Sequence, residues 1–222
     1  MWTMKYKAVV FDMDGVIFDS ERLVLECWKE AAAKYGIQDI DKVFYKCIGV
    51  NMAQSKQITM DFYGPDFPYD VFRKEASFLY HSRYDGGNLP MKPGVVELLE
   101  FLKEQGYAVA LASSTRYEVV HQEIRDAGIL PYFQNLTCGD MVTVSKPNPE
   151  IFLKACEALS VAPEEAIAIE DSFNGIRAAH RAGMFPVMVP DMVAPDEEMK
   201  ELAGLICTDL TQVREWLSRD SF

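Results

Sequence analysis

Two short apolar runs that end in pairs of acidic residues constrain the fold of this chain more than any other feature. The runs and their acids are Val9-Val10-Phe11 before Asp12 and Asp14, and Ala166-Ile167-Ala168-Ile169 before Glu170 and Asp171. Short apolar runs of this kind are typical of buried strands in a parallel sheet. If the two strands are neighbours, four acids gather at one sheet edge, where they repel one another unless a metal cation or retained protons offset their charge.

Strand and helix patterns alternate along the chain after about residue 90. Val95, Leu98 and Leu102 fall on one helical face, and Gly106 ends that helix. Further strands are predicted at 107–112, 135–138, 186–189 and around 205, and further helices at 116–127, from 148 onward and at 173–182. Repeated βα units predict an α/β fold with a Rossmann-like, doubly wound parallel sheet.

Residues 20–88 break this alternation, because they contain helical stripes and no convincing strand. We therefore predict two units: a catalytic core formed by 1–19 and 89–222, and a helical cap domain formed by 20–88. Two connections back to one core suggest a hinged lid, for which Gly86 and Gly87 are suitable. The alternative is a helical appendage that never moves.

The composition argues against several classes of partner. A net charge of −12 provides no electrostatic footprint for nucleic acid. No run approaches the ~18–20 apolar residues that span a bilayer, and the N-terminus has no signal-peptide pattern. Five scattered cysteines without CxxC spacing suit reduced thiols. We expect a cytoplasmic protein that binds neither nucleic acid nor membrane; the oligomeric state stays open, with a monomer slightly favoured.

Asp12 and Asp14 are the candidate catalytic pair. A carboxylate held at the end of a strand can attack phosphorus and form an acyl phosphate, which splits one displacement into two. Asp14, two residues further on, can donate a proton to the leaving oxygen and later take one from water. The structural alternative is that Asp14-Gly15, between apolar runs, marks a hairpin turn.

Three further positions offer groups for a metal and a phosphate. Glu170 and Asp171 supply hard oxygen ligands that suit Mg²⁺, although acids there could instead cap the helix that follows. Ser113 and Ser114 end a predicted strand before a helix, so they can form a phosphate cradle or a plain serine cap. Lys146 lies in a loop bounded by prolines, although most lysines are solvated surface residues.

Charge counting connects these candidates to phosphoryl transfer. Ionised Asp12, Glu170 and Asp171 carry three negative charges, and Mg²⁺ with Lys146 carries three positive ones. A protonated Asp14 leaves that balance unchanged, so the site can receive a dianionic phosphate. Nearby anions raise the proton affinity of such an acid, as a general acid requires. Positioned cations also match the charge that phosphoryl transfer places on the equatorial oxygens.

Four motifs in order make the chain resemble a haloacid dehalogenase (HAD) superfamily phosphohydrolase. They are Asp12-Met13-Asp14-Gly15-Val16, Leu111-Ala112-Ser113-Ser114, Lys146-Pro147-Asn148-Pro149 and Ile169-Glu170-Asp171-Ser172. The resemblance is closest to the branch with a helical cap after the first strand, which includes β-phosphoglucomutase and many sugar-phosphate phosphatases. It covers essentially the whole chain and implies a HAD-like core fold.

The resemblance also implies roles for individual residues. Asp12 would be the nucleophile and Asp14 the acid/base, with Ser113 and Lys146 on the phosphate; we predict Ser114 as a further phosphate-binding residue. Mg²⁺ would be held by Asp12, the backbone carbonyl of Asp14, Glu170 and Asp171.

The cap sequence separates two activities within this resemblance. The mutases place a His where this chain has Val24, and an Arg for a second phosphate where Gly49-Val50 is followed by Asn51-Met52. These departures favour a Mg²⁺-dependent phosphatase whose partner is a small phosphorylated metabolite, either a sugar phosphate or a nucleoside monophosphate. The alternatives are a phosphoglucomutase-type isomerase and a non-catalytic binding protein on the same scaffold.

Overall fold

Six parallel strands form the sheet at the centre of the protein. The structure is a computed structural model and describes residues 5–50 and 52–220. The strands are β1 (Ala8–Phe11), β2 (Ala108–Ser113), β3 (Asn135–Cys138), β4 (Ala166–Glu170), β5 (Phe185–Met188) and β6 (Leu205–Ile206). Their order across the sheet is β3-β2-β1-β4-β5-β6, and every neighbouring pair is parallel. The predicted doubly wound α/β fold is confirmed.

Helices connect the strands and cover the sheet. They are α1 (Ser20–Lys34), α2 (Ile40–Cys47), α3 (Met52–Tyr63), α4 (Tyr69–Tyr84), α5 (Val95–Gln105), α6 (Tyr117–Asp126), α7 (Glu150–Leu159), α8 (Phe173–Ala182), α9 (Glu197–Leu202) and α10 (Leu210–Asp220). The strand predicted at 107–112 begins and ends one residue later, so Ser113 belongs to β2. Helix α9 was not predicted, because only Met199 in it is buried.

The two faces of the sheet carry side chains of different size. One face presents large residues such as Phe11 and Ile169, which share a buried cluster with residues of α5, α6 and α10. The opposite face presents small residues such as Ala110 and Ala168, which share a second cluster with residues of α7 and α8. Small side chains let helices approach closely, so both faces of β1 and β4 are buried, as expected for central parallel strands.

The order of the strands places a crevice at the carboxyl ends of β1 and β4. The chain runs from β1 outward through β2 and β3, and then returns to the other side of β1 to form β4. Ligands of open α/β sheets bind where the strand order reverses in this way. Phe11 pairs in register with Ile169, so the acids that follow the two strands begin at the same level of the sheet.

The segment between β1 and α5 consists of α1 to α4 and has its own buried cluster. Trp28, Phe44 and Phe72 form the aromatic centre of that cluster, with Trp28 edge-on to both phenylalanines. A hydrogen bond joins the two stretches of chain that connect this segment to the sheet: the amide of Asp19 donates to the carbonyl of Pro90 at 3.0 Å. The division into a core and a moving cap stays a prediction. Within the described residues, no helix is long and apolar enough to cross a membrane.

Candidate active site

Lys146 joins the acids at the ends of the two central strands. Its Nζ donates to Asp12 Oδ1 at 2.6 Å, to Glu170 Oε1 at 2.5 Å and to the Ala112 carbonyl at 3.0 Å. The Lys146 side chain is only 3% exposed and Glu170 is fully buried. Burial alone would lower the pKa of Lys146, but the adjoining Asp12 and Glu170 carboxylates raise it above its ordinary value. The lysine is therefore a fixed buried cation and not a solvated surface residue.

Backbone bonds between β1 and β4 hold Asp12 in place. The Asp12 amide donates to the Ile169 carbonyl at 2.9 Å, which continues the ladder one residue past the end of β1. Asp12 is 7% exposed, and it lines a cavity above the sheet edge. Burial raises the pKa of Asp12 to about 8; the Glu170 and Asp14 carboxylates add to the rise, and Lys146 opposes it.

The turn after β4 fixes the Glu170 carboxylate on its second oxygen. Glu170 Oε2 accepts the Ser172 hydroxyl at 3.0 Å and the Ser172 amide at 3.2 Å. The Ser172 hydroxyl oxygen in turn accepts the Gly175 amide, so Ser172 caps α8 and neither Glu170 nor Asp171 does. A Cβ at Gly175 would lie 1.9 Å from Glu170 Cδ. Glu170 therefore occupies space that only a glycine at 175 leaves free.

Asp12, Glu170 and Asp171 form a group that could hold a metal ion. Each offers a carboxylate oxygen, and these oxygens lie within 4.8 Å of one another. Burial raises the pKa of Asp171 above its ordinary value, and the neighbouring Glu21 and Glu170 carboxylates raise it further. If all three acids ionise, one lysine leaves an excess of negative charge. A divalent cation with hard oxygen ligands, such as Mg²⁺, fits this group.

Asp14 lies on the cavity side of the turn that follows β1. Its Oδ1 accepts the Ser20 hydroxyl at 2.7 Å and its Oδ2 accepts the Thr115 hydroxyl at 3.1 Å. A turn is present, because the Gly15 amide donates to the Phe18 carbonyl at 2.9 Å and Gly15 has a φ of 79°, but the bridge between Asp14 and Phe18 is parallel, so the turn is not that of a hairpin. Asp14 is thus both part of a turn and oriented by two hydroxyls from separate elements.

The two predicted phosphate-binding serines lie in different surroundings. Ser113 is fully buried, and its hydroxyl oxygen accepts the Thr115 amide at 3.0 Å. Ser114 lines the cavity together with Thr115. Neither serine caps α6: its N-cap residue is Arg116, and the Tyr117 amide donates to Asp140 Oδ1 at 3.0 Å. Their roles on a phosphate stay predictions.

Several polar residues near the site were not predicted from the sequence. Glu21, Asp171 and Asp191 form a second group of carboxylates within 4.8 Å of one another, and Lys92 Nζ lies 2.5 Å from Asp191 Oδ1. Glu21 resembled an ordinary first-turn acid of α1. Asp191 follows β5 closely, so the rule that placed Glu170 at the end of β4 could have found it.

The cavity above these residues has a volume of about 440 Å³. It is lined at the sheet edge by Asp12, Asp14, Thr115, Lys146 and Asp171, and on the helical segment by Val24, Trp28, Phe44, Met52 and Arg73. A small phosphorylated molecule would therefore contact both parts of the chain. Burial also raises the pKa of cavity-lining Glu123 to about 8, with further contributions from the Asp14 and Asp85 carboxylates.

Comparison with known proteins gives one family for most of the chain. The model of the haloacid dehalogenase-like hydrolases matches residues 6–183. The phosphorylated carbohydrates phosphatase of Thermotoga maritima is 34% identical over 178 residues, which are 80% of this chain and 82% of that protein. The β-phosphoglucomutase of Bacillus subtilis is 32% identical over 190 residues, covering 82% of this chain and 83% of that protein.

A solved structure agrees with these matches in three dimensions. The β-phosphoglucomutase of Clostridium difficile superimposes with a TM-score of 0.79 at 26% sequence identity, and the alignment covers 97% of each chain. The resemblance predicted from the four motifs is confirmed.

Proposed function

The chain belongs to the haloacid dehalogenase-like hydrolase family, and we propose that within it this protein is a Mg²⁺-dependent phosphatase that forms an aspartyl phosphate on Asp12. The substrate would be a small phosphorylated metabolite. The observation that carries the proposal is the buried Lys146, which bonds both Asp12 and Glu170 at the sheet edge. A buried cation beside the proposed nucleophile and an open cavity can stabilise the negative charge that phosphoryl transfer places on the phosphoryl oxygens.

In the first step of the proposed reaction, an Asp12 carboxylate oxygen attacks phosphorus. A bond forms between that oxygen and phosphorus while the bond from phosphorus to the leaving oxygen breaks. Asp14 donates its proton to the leaving oxygen, so the product departs as a neutral alcohol. The Ser20 and Thr115 hydroxyls, which donate to the two Asp14 oxygens, fix the direction in which Asp14 faces the cavity.

In the second step, water hydrolyses the aspartyl phosphate. Asp14, now ionised, takes a proton from the water. The water oxygen bonds to phosphorus while the bond between phosphorus and Asp12 breaks. Inorganic phosphate leaves and Asp14 is protonated again. Lys146 stays charged throughout and stabilises negative charge on the phosphoryl oxygens.

We assign the metal to Asp12, Glu170, Asp171 and the Asp14 backbone carbonyl. When bound, Mg²⁺ would neutralise the acids and polarise the phosphoryl group. The distance of 4.8 Å or less among the three carboxylate oxygens supports this assignment.

The relatives and the cavity support one substrate class ahead of another. A relative that is 34% identical is named a phosphorylated carbohydrates phosphatase, and a more distant one, 27% identical, a hexitol phosphatase. A cavity of about 440 Å³ has room for a molecule of that size. We therefore propose a sugar phosphate ahead of a nucleoside monophosphate.

A phosphoglucomutase-type isomerase is the second candidate function, because β-phosphoglucomutases are among the relatives. A mutase must retain a bisphosphate intermediate and rebind it in the opposite direction. Met52 and Val24 both line the cavity and offer no charge for that task; Arg73 on α4 also lines the cavity but lies at neither of these two positions. Asn51 lies outside the described residues. These positions favour release of phosphate to water.

Phosphate release from a panel of sugar phosphates and nucleotides, with Mg²⁺ and with EDTA, tests the proposal. We expect Mg²⁺-dependent release that is lost in Asp12→Asn. Conversion of β-glucose 1-phosphate to glucose 6-phosphate without net phosphate release would instead identify a mutase. Tight binding of a phosphorylated ligand without turnover of any substrate would identify a binding protein.

A further inference from the structure

The two ends of the cavity differ in their chemistry. The sheet end holds the acids, Lys146 and the hydroxyl of Thr115, which the proposed reaction uses. The opposite end lies among α1, α2 and α4, and its walls are mostly apolar, with Phe44 as one example. Arg73 on α4 contributes the one fixed positive charge among the lining residues of this end that the structure describes.

Arg73 has no carboxylate partner among residues 5–50 and 52–220. The two acids nearest to it on α4 pair elsewhere: Asp70 accepts Lys56 at 2.9 Å and Glu75 accepts Lys34 at 2.8 Å. The guanidinium instead lies 5.2 Å from the centre of the Trp28 ring. A guanidinium held over a ring keeps the N–H groups that point away from the ring free for a carboxylate or a phosphate.

Trp28 supplies the ring over which the guanidinium lies. The Trp28 side chain lines the cavity and is 3% exposed, but its Nε1 has almost no accessible surface and does not face the cavity. Trp28 therefore acts through its contact with the guanidinium, which holds Arg73 at this end of the cavity. Arg73 is the donor that a ligand can reach there.

The length of α1 gives the separation between the two ends. Ser20 donates to Asp14 at the sheet end, and Trp28 lies eight residues further along the same helix. At a rise of ~1.5 Å per residue, the two are roughly 12 Å apart along the axis. An extended six-carbon chain with a phosphate at one end is on the order of 9 Å long, so it reaches from one end toward the other.

We propose that Arg73, held over Trp28, forms a second anion-binding subsite, and that the substrate is a phosphorylated carbohydrate with a second acidic group on the order of 10 Å from its phosphorus. The inference rests on the proposed phosphatase function and narrows its substrate class. It makes Arg73 a specificity-determining residue that binds the far end of the leaving group and takes no part in the transfer of phosphorus.

A matched pair of substrates tests the subsite. Sorbitol 6-phosphate and 6-phosphogluconate have the same six-carbon chain. At the end away from phosphorus, the first carries a hydroxymethyl group and the second a carboxylate. We expect the protein to prefer 6-phosphogluconate by about tenfold or more in kcat/KM, as one charge-assisted contact provides. Arg73→Gln should remove that preference through a higher KM, with kcat and the kinetics of sorbitol 6-phosphate almost unchanged.

Three further variants separate binding from structure. Arg73→Lys keeps the positive charge but loses the planar guanidinium, so it should keep part of the preference for 6-phosphogluconate. Trp28→Phe keeps an aromatic ring beneath the guanidinium and should keep most of the preference. Lys74→Gln removes the same charge from the next, exposed residue of α4 and should leave the preference intact. Thermal unfolding confirms that each variant is folded.

Hydrolysis of p-nitrophenyl phosphate distinguishes failure of the subsite from failure of the phosphatase. Suppose that the protein hydrolyses this ester but does not discriminate between the two sugar phosphates, or that Arg73→Gln lowers activity on both of them equally. The proposed subsite is then wrong, and the proposed phosphatase function stands. If no ester is hydrolysed, the phosphatase is wrong. Calorimetry with 6-phosphogluconate then decides the subsite, because equal affinity of the wild-type protein and Arg73→Gln, or no binding to either, would overturn it.

Discussion

Lys146 Nζ lies 2.6 Å from Asp12 Oδ1, although 134 residues separate them in the chain. The contact is possible because β1 and β4 are neighbours, and because the loop before α7 reaches over their carboxyl ends. It places a permanent positive charge beside the carboxylate that is proposed to attack phosphorus. The first two predictions remove one partner of this pair at a time.

Asp12→Asn should abolish turnover while leaving the fold intact. An amide cannot attack phosphorus, so we expect phosphate release to fall by at least about a thousandfold. The control is Asp66→Asn, the same change at an exposed position, which should stay within about twofold of the unmodified protein. Near-normal release by Asp12→Asn would exclude the covalent route.

Lys146→Met should destabilise the protein as well as inactivate it. The change leaves Asp12 and Glu170 buried without a cation, which costs about 3–5 kcal/mol in the free energy of unfolding. Urea unfolding at pH 8 in EDTA measures this cost. Lys154→Met removes a lysine from a surface pair with Glu150, 43% exposed, and should cost about 1 kcal/mol or less. Equal losses in the two variants would contradict the buried role of Lys146.

Mg²⁺ should stabilise the folded protein, because the carboxylates near Asp171 come together only after folding. At a concentration one hundred times the dissociation constant, the gain is about 2.7 kcal/mol in the free energy of unfolding. Asp171→Asn should remove most of that gain, and Asp66→Asn none of it. Thermal unfolding with Mg²⁺ and with EDTA measures the gain, and an unchanged response in Asp171→Asn would place the metal elsewhere.

Glu123 should make stability depend on pH. Its pKa is raised from 4.5 to about 8, chiefly by burial, so the protonated form is favoured in the folded state. Its contribution to stability is complete below pH 4.5 and is lost as the pH rises through about 8.

Glu123→Gln cannot ionise, so it should exceed the unmodified protein in stability at pH 8.5 by on the order of 2 kcal/mol, and match it near pH 4.5. Urea unfolding at both values measures the difference. Glu104→Gln, at an exposed position, should show no such divergence with pH. A constant difference across the pH range would show that Glu123 does not titrate in this way.

The sequence predicted the parts of the site that follow directly from buried strands. The apolar runs before Asp12 and Glu170 are strands because their residues are buried on both faces, and the acids after them meet because the strands are adjacent. Lys146 was predicted from the Lys146-Pro147-Asn148-Pro149 motif, because nothing in the sequence shows that its side chain is buried between two acids. The fold and the family could thus be predicted from short local patterns, and both are confirmed.

Other parts of the site could not be predicted, because they depend on how distant helices pack. Arg73 is one of many charged residues on amphipathic helices, and only the packing of α4 against α1 places it over Trp28. Glu123 looks like a solvated acid until Asp14 and Asp85 are brought near it. The assignment of 20–88 as a cap that moves is a prediction about motion, which neither pattern nor packing tests.

Gly175 restricts how this site can be changed. A methyl group there would collide with the Glu170 carboxyl carbon, so the two positions can vary only in concert. Engineering that shortens the acid to aspartate would open the room that an alanine needs, and the pair of changes should be tolerated better than the sum of the single ones. Gly175, in the first turn of α8, thereby limits which acid can stand at position 170 and bond Lys146.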